Sequence, residues 1–347
     1  MMPEEWPIAP AAAERQVPAR AAGRGRLSTV RQDFFLDPAE RLTEQERALM
    51  TAMLHCLVGD VAAEIRAALP IGWAGANDDE AAMIEQLGAA DLLDLPELVA
   101  LLLRRADEER IGSAARARTG RRDARALQAL ISHENGAASA AAMALILARG
   151  RRRDRFGQCL VGFDDLSRET ADWLVHAIAA CLRSRIAAAH GPAAADRELS
   201  SAAAQFLSRH DESRSIEALT AALVALLDAS GALSDELLLA CAQEGEVGFI
   251  SEVIGRRAGI SGDVAFDELL SGKDQQVMAL LQVARFSRDV SAGLLAAIGD
   301  LLGIADPAAA IGIFDTMAPD KVQAKESWLG AAPAYRRALE MLGGAIG

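Results

Sequence analysis

TEQERALMTAMLHCLVGDVAAEIRAALP, residues 43–70, decides the fold class of this chain. It opens with Thr43-Glu44-Gln45-Glu46, the form of a capping box: the threonine hydroxyl accepts an orphan amide of the first turn and the glutamate three residues on reaches back. Leu49, Met50, Met53, Leu54, Leu57, Val58, Val61, Ile65 and Leu69 then follow at steps of three and four, up to Pro70. That spacing puts them on one face of a single long helix. A strand would have needed alternation at steps of two.

The same period recurs along the chain. From about Ser167, the residues Trp173, Leu174, Ala177, Ile178, Cys181, Leu182 and Ile186 make a second strong stripe, and all of them, Trp173 included, are expected to face a core. Asp94-Leu95-Pro96-Glu97 is another start signal, with Asp94 as N-cap and Pro96 in the first turn, and the helix it opens should carry Leu98, Leu101 and Leu102 inward. Shorter helices are expected over 78–87, stopped by Gly88, and near 108–118, 122–131 and 136–149. Beyond Gly191-Pro192 the expected spans are 195–208, 215–229, 234–243, 246–258, 263–270, 274–284, 288–302, 307–317 and 328–342. Gly231, Gly259 and Gly303 stand where a glycine ends a helix, and serines tend to stand where helices begin.

Composition agrees, because the apolar fraction of 51% consists largely of alanine and leucine, with aromatics at only 4%. The expected fold class is therefore all-α: stacked antiparallel helix pairs, as a HEAT-like α-solenoid or as two packed helical subdomains. One internal echo fits a repeat. Ile254-Gly255-Arg256-Arg257-Ala258-Gly259-Ile260 and Ile298-Gly299-Asp300-Leu301-Leu302-Gly303-Ile304 share the pattern I-G-x-x-x-G-I at an offset of 44 residues, within the ~40 to 47 of a HEAT-type unit. The expected organisation is a flexible tail over 1–32, rich in Ala, Pro and Arg, an N-terminal helical-repeat domain over 33–190 and a C-terminal helical domain over 191–347.

Charge is distributed unevenly about the net value of −13. Thirteen arginines and six acids lie between Arg104 and Arg155, whereas 12 basic and 22 acidic residues follow Gly191. The net charge argues against a surface given over to nucleic acid or anionic lipid. The basic middle is the exception, and its densest part is Arg149, Arg151, Arg152, Arg153 and Arg155, whose guanidinium forks suit phosphates or an acidic partner. A solvated helix end, where cations complement the macrodipole, is the competing reading. Trp73, in the loop after the first long helix, is the other candidate contact residue.

Catalytic and metal chemistry finds little support. His55 and Cys56 are adjacent, so on a helix they diverge by about 100°, and His176 and Cys181 are five apart. Ser132-His133-Glu134 has suitable residue types but not a triad's geometry. Gly23-Arg24-Gly25 lies in the tail, without the strand, loop and helix of a phosphate cradle. Cys56, Cys159, Cys181 and Cys241 are scattered singly, which fits a reducing cytoplasm. No uncharged apolar run reaches the ~18 residues of a membrane span, and no secretory h-region stands near the N-terminus. Neither a catalytic residue nor a metal or cofactor is expected.

Several short motifs carry a family resemblance. Arg41-Leu42-Thr43-Glu44-Gln45-Glu46-Arg47-Ala48-Leu49-Met50, Glu64-Ile65-Arg66, Leu101-Leu102-Leu103-Arg104-Arg105-Ala106, Leu174-Val175 with Ala179-Ala180-Cys181-Leu182-Arg183, and Pro333-Ala334-Tyr335-Arg336-Arg337-Ala338 resemble the alphaproteobacterial family catalogued as domain of unknown function 2336. The resemblance runs from about Phe34 onward and implies HEAT-like helical-repeat proteins without an assigned activity.

These readings lead to an expected non-enzymatic, cytoplasmic interaction or adaptor protein that presents an extended helical surface to another protein, in signalling or envelope regulation. The alternative is a nucleic-acid or anionic-ligand binder using the arginine-rich 104–155 region. Self-association as a homodimer, acidic half against basic middle, is a further expectation.

Overall fold

The computed structural model describes residues 42–73, 80–120, 125–271 and 273–342, so the tail expected over 1–32 lies outside the described residues. Helix α1 (Glu44–Ala68) begins as its capping box requires: the Glu46 amide donates to Thr43 Oγ1 at 3.1 Å, and the Thr43 amide donates to the Glu46 carboxylate at 2.8 Å. From Ala48 onward the chain forms one unit. Among the described residues α1 alone is long and apolar enough to cross a membrane, but Met53, Leu57, Val58, Val61, Ala62 and Ile65 of its stripe are buried in a protein core.

Fifteen α-helices follow among the described residues. They are α2 (Glu80–Ala89), α3 (Pro96–Thr119), α4 (Arg125–Ala129), α5 (Gly136–Arg151), α6 (Arg168–His190), α7 (Pro192–Leu207), α8 (Ile216–Ala229) and α9 (Asp235–Gln243). Beyond these come α10 (Val247–Ala258), α11 (Gly262–Leu269), α12 (Asp274–Val283), α13 (Arg288–Ile298), α14 (Pro307–Thr316), α15 (Pro319–Leu329) and α16 (Pro333–Met341). The fold is all-α, and a single isolated bridge, Arg153 to Cys159, is the β-type pairing among the described residues.

Serine hydroxyls start many of these helices. Ser167, Ser215, Ser234, Ser261 and Ser287 each accept an amide three residues on, a bond whose loss costs about 1 kcal/mol. Left-handed residues end several of them. The I-G-x-x-x-G-I echo is the same ending twice: Ile260 N donates to Gly255 O and Ile304 N to Gly299 O, both at 2.9 Å, across the left-handed Gly259 and Gly303.

Four expectations need correction. The separate helix expected near 108–118 is the second half of α3, because no proline stands between Leu98 and Gly120 and the lone Gly112 is tolerated within the helix; its N-cap is Leu95, without a side-chain bond, rather than Asp94. Gly88 does not stop α2, which ends where Asp91 turns left-handed and Leu92 N returns to Leu87 O. The span expected over 328–342 is two helices, α15 and α16, each opened by a proline.

Two hydrophobic cores alternate along the chain. The first gathers α1, α2, α6 and α7 around Leu57, Ile65, Leu174 and Ile178; the second gathers α4, α5 and α8–α15 around Leu145, Leu223, Phe249 and Leu280. Helix α3 serves both: Leu98, Leu102 and Ala106 enter the first core and Ile111 the second. Where α3 crosses the turn into α10 the backbones nearly touch. Gly245 is left-handed (φ +72°), and a Cβ there would stand 2.8 Å from Ala115 Cβ, Gly112 Cα and Ile111 O.

Gly245→Ala is therefore expected to destabilise the protein by at least about 2 kcal/mol, since it combines a strained backbone with overpacking against main chain. Gly231→Ala, at a left-handed position with open space around it, should cost less. Urea unfolding of the two variants checks this, and equal midpoints would contradict the close crossing.

Candidate functional site

The C-terminal turn of α5 and the loop after it hold the arginine cluster. Asn135 caps the start of α5, accepting from Ala137 N and Ala138 N, and Arg152 ends it, with its amide on Ala148 O and Arg149 O. The chain then folds into a tight turn in which Asp154 Oδ1 accepts from Phe156 N at 2.7 Å and Gln158 N at 2.8 Å, while Leu160 N closes onto Arg152 O at 2.8 Å. These bonds fan the five arginines in different directions.

Three of the five pair with carboxylates, Arg149 and Arg152 inward and Arg153 at the surface. Arg149 Nη1 donates to Glu246 at 2.5 Å. Arg152 grips Asp165 with two bonds of 3.0 and 3.1 Å, and the Asp165 side chain, fully buried, also accepts from Gly162 N and Ile216 N. Arg153 bridges Glu109 at 2.9 Å and Gly157 O at 2.6 Å. Arg151 and Arg155 stay exposed, Arg155 lying 4.7 Å over the ring of Phe156, itself 76% exposed at the turn's tip.

Helix α3 supplies the other half of the site. Arg105, buried, donates to Glu108 at 2.7 Å and to Glu217 at 2.8 Å. Burial opposes its charge, but Glu108 and Glu217, with Asp165 further off, outweigh that and hold the guanidinium well above its ordinary value. Arg104 pairs with Asp263 and Glu217, Arg118 with Asp300, and Arg110 with Asp107. Much of the basic middle thus meets the acidic second half inside one molecule. The charge asymmetry was the legible signal for this junction; the individual partners Asp165, Glu217, Glu246 and Asp263, and the exposed Phe156, were not picked out from the sequence.

Between α3, α5 and the start of α10 lies a cavity of about 90 Å³, lined by Arg105, Arg116, Arg149, Arg152 and Arg153 among others. Cys159 also lines it, but burial pushes this thiol up to about 11, so it is a poor nucleophile at neutral pH. An acidic groove of about 480 Å³ lies beside Arg104, bordered by Glu97, Asp164, Glu212 and Asp263. Trp73 does not join the arginines: it stacks on His190, ring centroids 4.0 Å apart, and packs partly buried against the first core. Trp173, expected in a core, is 49% exposed, because its indole N–H reaches out to Leu92 O at 3.2 Å.

His133, His176 and His210 each bond nearby backbone: the Asn135 amide, Asp172 O and Leu166 O respectively. Among the described residues no group of three or more His, Cys, Asp or Glu side chains is arranged to hold a metal ion.

Fold and site together define an all-helical protein organised around a buried arginine–carboxylate junction. The chain belongs to the bacterial family described as an uncharacterised protein conserved in bacteria (DUF2336), which matches residues 113–327. The matched span starts inside α3, later than Phe34, where the resemblance begins. Comparison with curated proteins and with solved structures gives no match.

Removing Asp165 leaves Arg152 half-satisfied and two amides without an acceptor, so Asp165→Ala should cost about 3 to 5 kcal/mol in chemical unfolding. A loss below 1 kcal/mol would show that the pair is replaceable by water. In the native protein, a thiol reagent at mildly alkaline pH should label exposed Cys56 and spare Cys159 and buried Cys241 until denaturant is added. Mass spectrometry reads the order directly.

Proposed function

We propose that the protein is a non-enzymatic adaptor, built of helix pairs stacked in the manner of HEAT-type repeats, that binds another protein through the outer face of α5. Consecutive helices packing on each other across short turns, as α6 and α7 do, and α10 and α11, support the repeat reading.

The observation that carries the proposal is the composition of α5. Its inner face, Ala138, Ala142 and Leu145, is buried in the second core, yet its outer face is apolar too: Ala137, Ala140, Met143 and Leu147 are exposed, Leu147 by 54%. A surface helix ordinarily sets polar residues against water. An apolar stripe left in solvent over three turns is what a protein-binding face looks like, and methionine suits such faces because it adapts its shape. In the chain, this stripe runs on into Arg151 and then the exposed Arg155–Phe156 pair, residue types that anchor interfaces.

The internal pairing of Arg104, Arg105, Arg149, Arg152 and Arg153 weighs against a surface that tracks a nucleic-acid backbone, which needs guanidinium groups free to replace counterions. Binding to a random duplex at moderate salt is expected to be weak.

The double substitution Met143→Glu, Leu147→Glu tests the adaptor reading. Both side chains face water, so the melting temperature should stay within a few degrees. Partners recovered from native lysate by the wild-type chain should be lost, with the interface energy falling by more than about 2 kcal/mol. Identical recovery by the two chains would place the interface elsewhere or nowhere.

A further inference from the structure

We infer that the cavity between α3, α5 and the start of α10 is a binding site for a phosphate group, free or carried on a larger molecule, with Arg116, Arg149 and Arg105 as its cationic donors. This does not depend on what α5 binds.

Size comes first. A volume of about 90 Å³ corresponds to roughly three waters, enough for one tetrahedral oxyanion and too small for a nucleobase or a peptide segment. Charge comes second. The walls carry five arginines against three glutamates, Glu108, Glu109 and Glu246, and with Asp165 behind Arg152 and Glu217 behind Arg105 the charges balance, so an anion is drawn by donors left open rather than by net charge.

Unused donors come third. Arg105 is 3% exposed, and although its two terminal nitrogens are paired, its Nε is buried without a partner. Such an orphan is costly unless something accepts from it. Arg116 is held only loosely, 3.5 Å from both Glu109 and Ser113, too long for charge-assisted bonds. It rests over Gly112, where a side chain would crowd its Nη1 at 2.9 Å. Arg149 commits Nη1 to Glu246, and its fork has further N–H groups to offer.

The backbone adds to these. Helix α10 opens on the cavity through Glu246, Val247 and Gly248, and its N-cap Glu246 makes no side-chain capping bond because the carboxylate is turned to Arg149. Val247 N already donates to Gly245 O at 2.8 Å and the Glu108 carboxylate lies against Gly248, so this helix start contributes the positive end of its dipole rather than free amides. Glu108, Glu109 and Glu246 oppose an incoming anion, so the affinity should be modest and should fall as salt rises.

Isothermal titration calorimetry of the full chain, with inorganic phosphate and separately with O-phosphoserine at neutral pH in chloride buffer, tests the site. Saturable one-to-one binding is expected, weakened roughly tenfold (about 1.4 kcal/mol) by Arg116→Gln and by Arg149→Gln. Arg288→Gln, which alters a surface pair with Asp315, should leave it unchanged. Arg149→Gln bares Glu246 and could unfold the chain; Arg116→Gln breaks no short bond and keeps the test decisive. Equal affinity for the two probes assigns the site to the free anion, and tighter phosphoserine binding assigns it to a carried phosphate group. Absence of saturable binding by either probe at millimolar concentration, or binding untouched by Arg116→Gln, overturns the proposal.

Discussion

The arrangement depends on one buried guanidinium, Arg105, placed where α3 passes from the first core to the second. Three residues before it Leu102 packs among the residues of α1 and α6; six residues after it Ile111 packs into the other core. A continuous helix of 24 residues is a rod of about 36 Å, so the cores cannot slide past one another without breaking it. Taking Arg105 out of water is costly, and the Coulomb gain from Glu108 and Glu217 only offsets that cost; a cluster of apolar side chains would be as stable or more so. What the charge supplies is discrimination. Any other register of α3 against α8 and α10 would leave Arg105 or Glu217 buried without its partner, which is far more expensive than the pair itself.

Small residues make that junction reachable. Gly112 on α3 and Gly245 before α10 let the two backbones meet, and Gly248 makes room for Glu108, whose Oε1 would lie 2.6 Å from any Cβ there. Close approach brings the start of α10 beside the guanidinium groups of α3 and α5, so packing and electrostatics are one feature here. The same packing turns one face of α5 toward α8 and leaves the other to solvent. A helix apolar on both faces and covered on only one has its second face available for a partner.

Membership of the DUF2336 family fits this geometry in a specific way. The matched span, residues 113–327, holds Asp165, Glu217, Glu246, Asp263 and Asp300, the carboxylate half of the junction, together with Arg149, Arg152 and Arg153. Arg104, Arg105 and Glu108 lie just before it, on the same unbroken helix. Family membership supplies no chemistry, and the functional reading rests on the exposed face of α5 and on the arginine-lined cavity.

Three-and-four spacing of leucine and alanine, Thr43 and the capping serines, and the left-handed glycines determined by themselves that the chain is helical and where most helices begin and end, because capping bonds and one-face burial are local to a few residues. Local signals failed where size or context intervened: Trp173 sits at the edge of its stripe and turns its indole outward to Leu92 O, and α3 runs unbroken through a segment whose local pattern suggests two helices. The clustering of Arg149 to Arg155 was visible, but its meaning was not. A run of arginines reads alike whether it faces water or carboxylates, and Asp165 and Glu246 reach it from 13 and 97 residues away. Tertiary structure alone decided which guanidinium groups are neutralised, which remain exposed, and that two cores share one helix, because those are facts about distances between residues far apart in the chain.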